Sequence, residues 1–163
     1  MKRLFSFPDP VNEVAARTVA AFVVVMALAV IGGLHWVLFP LAFGFIARVL
    51  TGPTLSPLGQ LATRVIVPRL PFDERPVPGA PKRFAQGMGA TMATAALVAE
   101  YVFHQGAVAI VFAAMIVFAA TLESGFGYCL GCKVFGLLMR AGVIPESVCE
   151  ACNDLSRRQL TTA

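Results

Sequence analysis

Charge is scarce in this chain of 163 residues. Charged residues make up 13%, apolar residues 58%, and mean hydropathy is +0.77. A soluble globule carries about 25% charge. The deficit falls on particular long stretches rather than on the chain at large, which excludes an ordinary soluble domain. Histidine occurs only twice, and cysteine is absent from the first 128 residues. There is no Gly-rich phosphate loop, no Ser/His/Asp arrangement and no two-carboxylate site. Hydrolase and kinase chemistry therefore have no residues to stand on. The basic residues flank apolar runs instead of forming a face suited to a phosphate backbone, which excludes nucleic acid. No repeat of 20 to 50 residues is visible, so a solenoid is excluded too.

What is present is four apolar runs. Asn12 can cap a first helix with Glu13 in its first turn. Thr18 to Leu34 carries no charge, and the run is long enough to span a bilayer, which takes about 20 apolar residues. A cleaved signal peptide is the alternative, but Lys2 and Arg3 lie far from the apolar run and no small-x-small site follows it. Gly32-Gly33 then breaks the pattern, and a shorter run, Trp36 to Leu50, closes a tight hairpin. The third run, Phe84 to Phe103, is rich in glycine and alanine, which permit close helix approach in lipid. The fourth, Ala107 to Leu122, follows a short turn at Gln105-Gly106. The expected spans are 14–34, 36–50, 84–103 and 107–123.

Between the hairpins, Thr51 to Lys82 holds seven of the eleven prolines. Ser56-Pro57 is a helix-start signal, and Leu58, Leu61, Ala62, Val65 and Ile66 follow at helical spacing. A short amphipathic helix over 57–67, lying in the membrane interface, fits this pattern. A core-facing helix in a cytosolic cap is the alternative. Pro68 to Pro81 is expected as an extended linker.

The fold expected is thus an all-α membrane protein. It has a four-helix transmembrane domain over 1–128 and a short helical four-cysteine tail over 129–163. Basic residues crowd the N-terminus, the middle loop and the tail, while the two tight turns have none. The positive-inside rule then puts both termini in the cytoplasm of a multi-pass protein of the cell membrane.

All four cysteines lie in two Cys-x-x-Cys pairs, Cys129/Cys132 and Cys149/Cys152, sixteen residues apart. The spacing is that of a four-cysteine zinc site, with Gly131 easing the turn and Lys133 offsetting the thiolate charge. Equally, a Cys-x-x-Cys pair at a helix start has a lowered thiol pKa, which suits attack on a disulfide or a sulfane sulfur. A helix over Val134 to Arg140 and another from Pro145 would fold the pairs together. On this reading Cys149, near the Pro145 start, belongs to the more reactive pair. An iron–sulfur cluster is disfavoured by its different ligand spacings. Away from the cysteines, Glu100 and His104 stand four residues apart on one helical face and are candidates for a proton or quinone site. The plainer reading is an interfacial Glu100 beside Tyr101. Glu123 and Arg17 are expected to pair between the first and fourth helices.

Four blocks carry a resemblance. They are Phe7-Pro-Asp-Pro-Val-Asn-Glu-Val-Ala-Ala-Arg, Gly52-Pro-Thr-Leu-Ser-Pro-Leu-Gly-Gln-Leu-Ala, Lys82-Arg-Phe-Ala-Gln-Gly-Met-Gly-Ala, and Gly127-Tyr-Cys-Leu-Gly-Cys-Lys-Val-Phe with the later Cys-Glu-Ala-Cys. Together they resemble a bacterial integral-membrane family, the domain-of-unknown-function family numbered 4395, in its actinobacterial type. The resemblance implies thioredoxin-like or rhodanese-like partners and hence thiol or sulfane-sulfur traffic. It brings no settled activity. Thiol or sulfane-sulfur transfer by Cys129, Cys132, Cys149 and Cys152, with a quinone as electron acceptor, and a non-enzymatic membrane scaffold whose tail is locked by zinc on the same four cysteines are the two main functional expectations. A small transporter is a weaker third, since few polar residues are available to line a path.

Overall fold

A computed structural model describes residues 9–69, 71 and 75–145. Its first helix, α1 (Glu13–Ile31), begins where Asn12 places its side-chain oxygen on the Val14 N–H at 2.9 Å. That bond satisfies one of the donors a helix start leaves open. The chain turns through Gly32-Gly33 and a short 3-10 turn, His35–Val37, into α2 (Leu38–Thr51). Ser56 caps α3 (Pro57–Leu61) by accepting the Gly59 N–H at 3.2 Å. The helix then loosens into a π turn, Ala62–Ile66, and a 3-10 turn, Val67–Arg69. After the loop come α4 (Gly79–Tyr101), α5 (Gly106–Phe126) and α6 (Leu130–Arg140). Two short strands, β1 (Val11–Asn12) and β2 (Pro76–Val77), pair antiparallel and tie the entrance of α1 to that of α4. Asp9 adds a bond to the Gly79 N–H at 3.0 Å.

The long helices form two hairpins. α1 packs on α5, α2 on α4, and α4 on α5. The seam is made of small and branched residues: Ala27, Ala93, Ala96 and Ala113 are fully buried, with Val30 and Leu38 beside them. Alanine at these positions lets the helix backbones approach closely. Gly89 is the extreme case, since a Cβ there would fall 2.3 Å from the Phe45 ring. Large apolar side chains point outward instead, among them Val25, Phe39, Phe43, Val111 and Phe118.

The all-helical expectation holds, and all four runs are helices. Two of them, α1 and α5, are long and apolar enough to cross a membrane, rather than the expected four. The segment through α2, His35–Thr51, is apolar but short. The other, α4, is long, but it starts at Gly79 and so includes Lys82, Arg83 and a run of small residues in place of large apolar ones. The linker ends earlier than expected for the same reason: β2 and the Asp9 cap start α4 ahead of Phe84. In the 57–67 segment the inward face is Gly59, Ala62 and Val67, while Leu61 and Val65 are exposed.

Candidate functional site

Gly127 ends α5 in the left-handed region, φ +66°. The turn sends the chain back so that α6 starts at once, at Leu130 rather than at the expected Val134. The consequence is chemical. Cys129 becomes the N-cap of α6, and its sulfur accepts the Cys132 N–H at 3.3 Å. Helix starts concentrate unpaired N–H donors and the positive end of the dipole, both of which favour a thiolate. A hydrogen bond from the Cys132 thiol holds the Cys129 pKa below its ordinary value, against burial and the charge of Glu123, with Lys82 and the Cys132 N–H adding to the effect. The same bond to Cys129, together with burial, pushes the Cys132 thiol up. The two thiols therefore differ, the one at the cap favouring the thiolate and the one inside the helix favouring the thiol.

Gly131 does not serve a turn. It lies within α6, and a Cβ on it would meet the Ala85 Cβ at 2.5 Å and the Ala85 Cα at 2.6 Å. Glycine is there so that α6 can lie against α4. Phe135 stacks on Phe84, ring centroids 5.6 Å apart, and completes the contact.

Beneath the thiols lies a buried charge group. Lys82 Nζ meets Glu123 Oε1 at 2.6 Å, with the two side chains 8% and 15% exposed. Arg48, itself only 6% exposed, donates to Gln86 Oε1 at 2.8 Å and Ser56 Oγ at 3.3 Å, and packs over the Phe45 ring. Arg17 does not pair with Glu123. It donates to the carbonyl oxygens of Ser124 and Gly125 at the end of α5, at 2.9 to 3.2 Å. Those carbonyls have no partner within the helix, so a guanidinium there meets both the hydrogen-bonding and the dipole requirement. Lys133 sits over the Tyr128 ring, 5.4 Å from its centroid.

At the other end of the helices Glu100 pairs with His35 across the α1–α2 turn, not with His104. His104 reaches only the Glu100 carbonyl, at 3.3 Å, and its own backbone is in the left-handed region, φ +53°. His104 lies beyond the end of α4 at Tyr101, so four-residue spacing does not set it on a helical face with Glu100. Cys149 and Cys152 lie outside the described residues. Among the described residues, no group of three His, Cys, Asp or Glu side chains converges to hold a metal ion.

Replacing Cys132 with alanine removes the thiol donor but keeps the N–H. The apparent pKa of Cys129, read from the pH dependence of its alkylation rate, is expected to rise. A rise of one unit would cut the thiolate fraction at neutral pH by up to about tenfold. An unchanged midpoint would mean that the Cys132 thiol does not support the thiolate.

These features define an all-helical protein with two helices of membrane-spanning length and a thiol pair set on a helix start. The chain belongs to the family described as a domain of unknown function, DUF4395, whose model matches residues 11–140. That segment contains Cys129 and Cys132. No functionally curated protein and no solved structure matches the chain.

Proposed function

We propose that this is a multi-pass protein of the cell membrane whose cysteines carry out thiol–disulfide or sulfane-sulfur transfer at the cytoplasmic face. The observation that carries the proposal is Cys129 at the start of α6, hydrogen-bonded by Cys132. Cys129 is the attacking sulfur and Cys132 the resolving one. Cys149 and Cys152 serve as the second exchange pair, passing electrons or sulfur to a thioredoxin-like or rhodanese-like partner. The helices α1, α2, α4 and α5 all cross the bilayer, α2 and α4 as the polar-ended partners of the two apolar helices. Support comes from the outward-facing apolar side chains on α1, α2 and α5. The charges give further support, since Lys and Arg are absent from 18–47 and 84–132. The positive-inside rule assigns the cysteine end, with both termini, to the cytoplasm. The exposed Leu61 and Val65 suit a segment resting on lipid.

The test is metal content and free-thiol count on protein purified anaerobically in detergent. Absence of metal, with thiols that oxidise reversibly in pairs, is expected. One zinc per chain, with thiols reactive only after chelation, would overturn the transfer reading in favour of a zinc-locked scaffold that docks a cytosolic partner.

A further inference from the structure

A cleft of about 510 Å³ runs between α4 and α5, walled also by α1, α2 and the start of α6. Its walls are apolar for most of their length, with Met88, Met92, Met115 and Phe118 among them. Val111 and Phe118 also stand on the outer surface, 58% and 63% exposed, so the cleft opens sideways. In the membrane reading that opening faces lipid. From Val111 to Glu123 the cleft follows α5 for about 18 Å, at 1.5 Å per residue. Only its inner end is polar, where Arg48, Gln86, Glu123 and Cys129 line it.

This asymmetry describes a ligand. It requires a long apolar body entering from the bilayer and a compact head that accepts hydrogen bonds. The head must also tolerate being placed beside a thiol. A phospholipid fits the body but puts a bulky charged headgroup against Glu123, which already holds Lys82 in an ion pair. A quinone fits both ends. Its carbonyl oxygens accept hydrogen bonds and carry no charge. Its ring is electrophilic toward sulfur, and its isoprenoid tail is apolar.

We propose that the cleft is a binding site for a membrane quinone, which accepts electrons from Cys129 and Cys132. The inference rests on the thiol-transfer reading and supplies its oxidant. Arg48 and the Gln86 amide hold a quinone carbonyl at the polar end. The Cys129 thiolate adds to the ring, forming a C–S bond. Cys132 then gives up its proton, and its sulfur attacks the Cys129 sulfur. The S–S bond forms, the C–S bond breaks, and its electron pair leaves on the ring. The product takes up two protons in all, one from Cys132 and one from water. Two thiols have lost two electrons and one quinone has become one quinol.

The experiment uses the full chain, reduced and in detergent, with decylubiquinone as the probe. Quinol is followed by absorbance and the Cys129–Cys132 disulfide by peptide mass. One quinol per disulfide is expected. Ala119 is an apolar residue of the cleft wall, and A119W, which fills the cleft, is expected to slow quinol formation at least tenfold. An unchanged thermal unfolding midpoint in detergent reports that A119W is folded. A119L, a smaller filler, should give a lesser slowing and serves if A119W does not fold. Equal quinol formation in wild type and filled variants would overturn the site. No quinol, with thiols that still exchange with a disulfide such as oxidised glutathione, would overturn the quinone and leave thiol transfer standing. Thiols inert to both oxidants would overturn the two together.

Discussion

With Cys149 and Cys152 both replaced by alanine, Cys129→Ser is expected to reduce thiol exchange to background, while Cys132→Ser leaves the protein able to attack once and then stall. The difference follows from the start of α6. Cys129 receives the hydrogen bonds, so its sulfur holds negative charge at a lower pH than an ordinary thiol. Cys132 gives a hydrogen bond and keeps its proton. The thiolate is the nucleophile in disulfide exchange, so removing Cys129 removes the attacking group. With serine at position 132 the attack still occurs, but the adduct has no sulfur to resolve it. A mixed disulfide with glutathione or with a thioredoxin-like partner should therefore accumulate in Cys132→Ser and be absent from Cys129→Ser. Mass spectrometry of the intact protein reads both. The reverse pattern, with adduct trapped on Cys132 in the Cys129 variant, would exchange the two roles.

Lys82→Met is expected to be the most destabilising single change at the site. Removing one partner of a buried ion pair leaves the other charged and desolvated, at a cost of about 3–5 kcal/mol. Here the residue left behind is Glu123, whose negative charge already opposes the Cys129 thiolate. Alkylation of Cys129 should slow in the same variant. Adding Glu123→Leu removes the orphaned charge and is expected to restore most of the stability and the reactivity. Unfolding in mixed detergent measures the first effect and iodoacetamide kinetics the second. A Lys82→Met protein as resistant to unfolding as wild type would mean that the pair is solvated and structurally idle.

Local signals were legible in the sequence. Asn12 and Ser56-Pro57 announced helix starts, and both side chains cap as expected. The two hairpins could be read because breaks such as Gly32-Gly33 act through backbone geometry within a few residues. Long-range partners could not be read. Glu100, His35 and His104 are close in the folded chain, yet choosing between the two histidines depends on how α4 is rotated against the α1–α2 turn. Arg17 and Glu123 were placed at the correct end, but not with each other. The nearby carbonyls of Ser124 and Gly125 and the ammonium of Lys82 were competing partners whose positions come from helix packing. At the cysteines, Gly131 suggested a turn. The alternative signal was the small residue Ala85 at the contact point on α4, visible only once α6 is known to lie there.

That contact has a further consequence. The two residues between the sulfurs are each held by packing. Gly131 is committed to its approach on Ala85, and Leu130 forms part of the cleft wall. What acts on the thiols from outside the tetrapeptide is Lys82 and Glu123, whose charges favour and oppose the thiolate. In this chain the charges that bear on the two thiols sit on the helix bundle and not within the tetrapeptide.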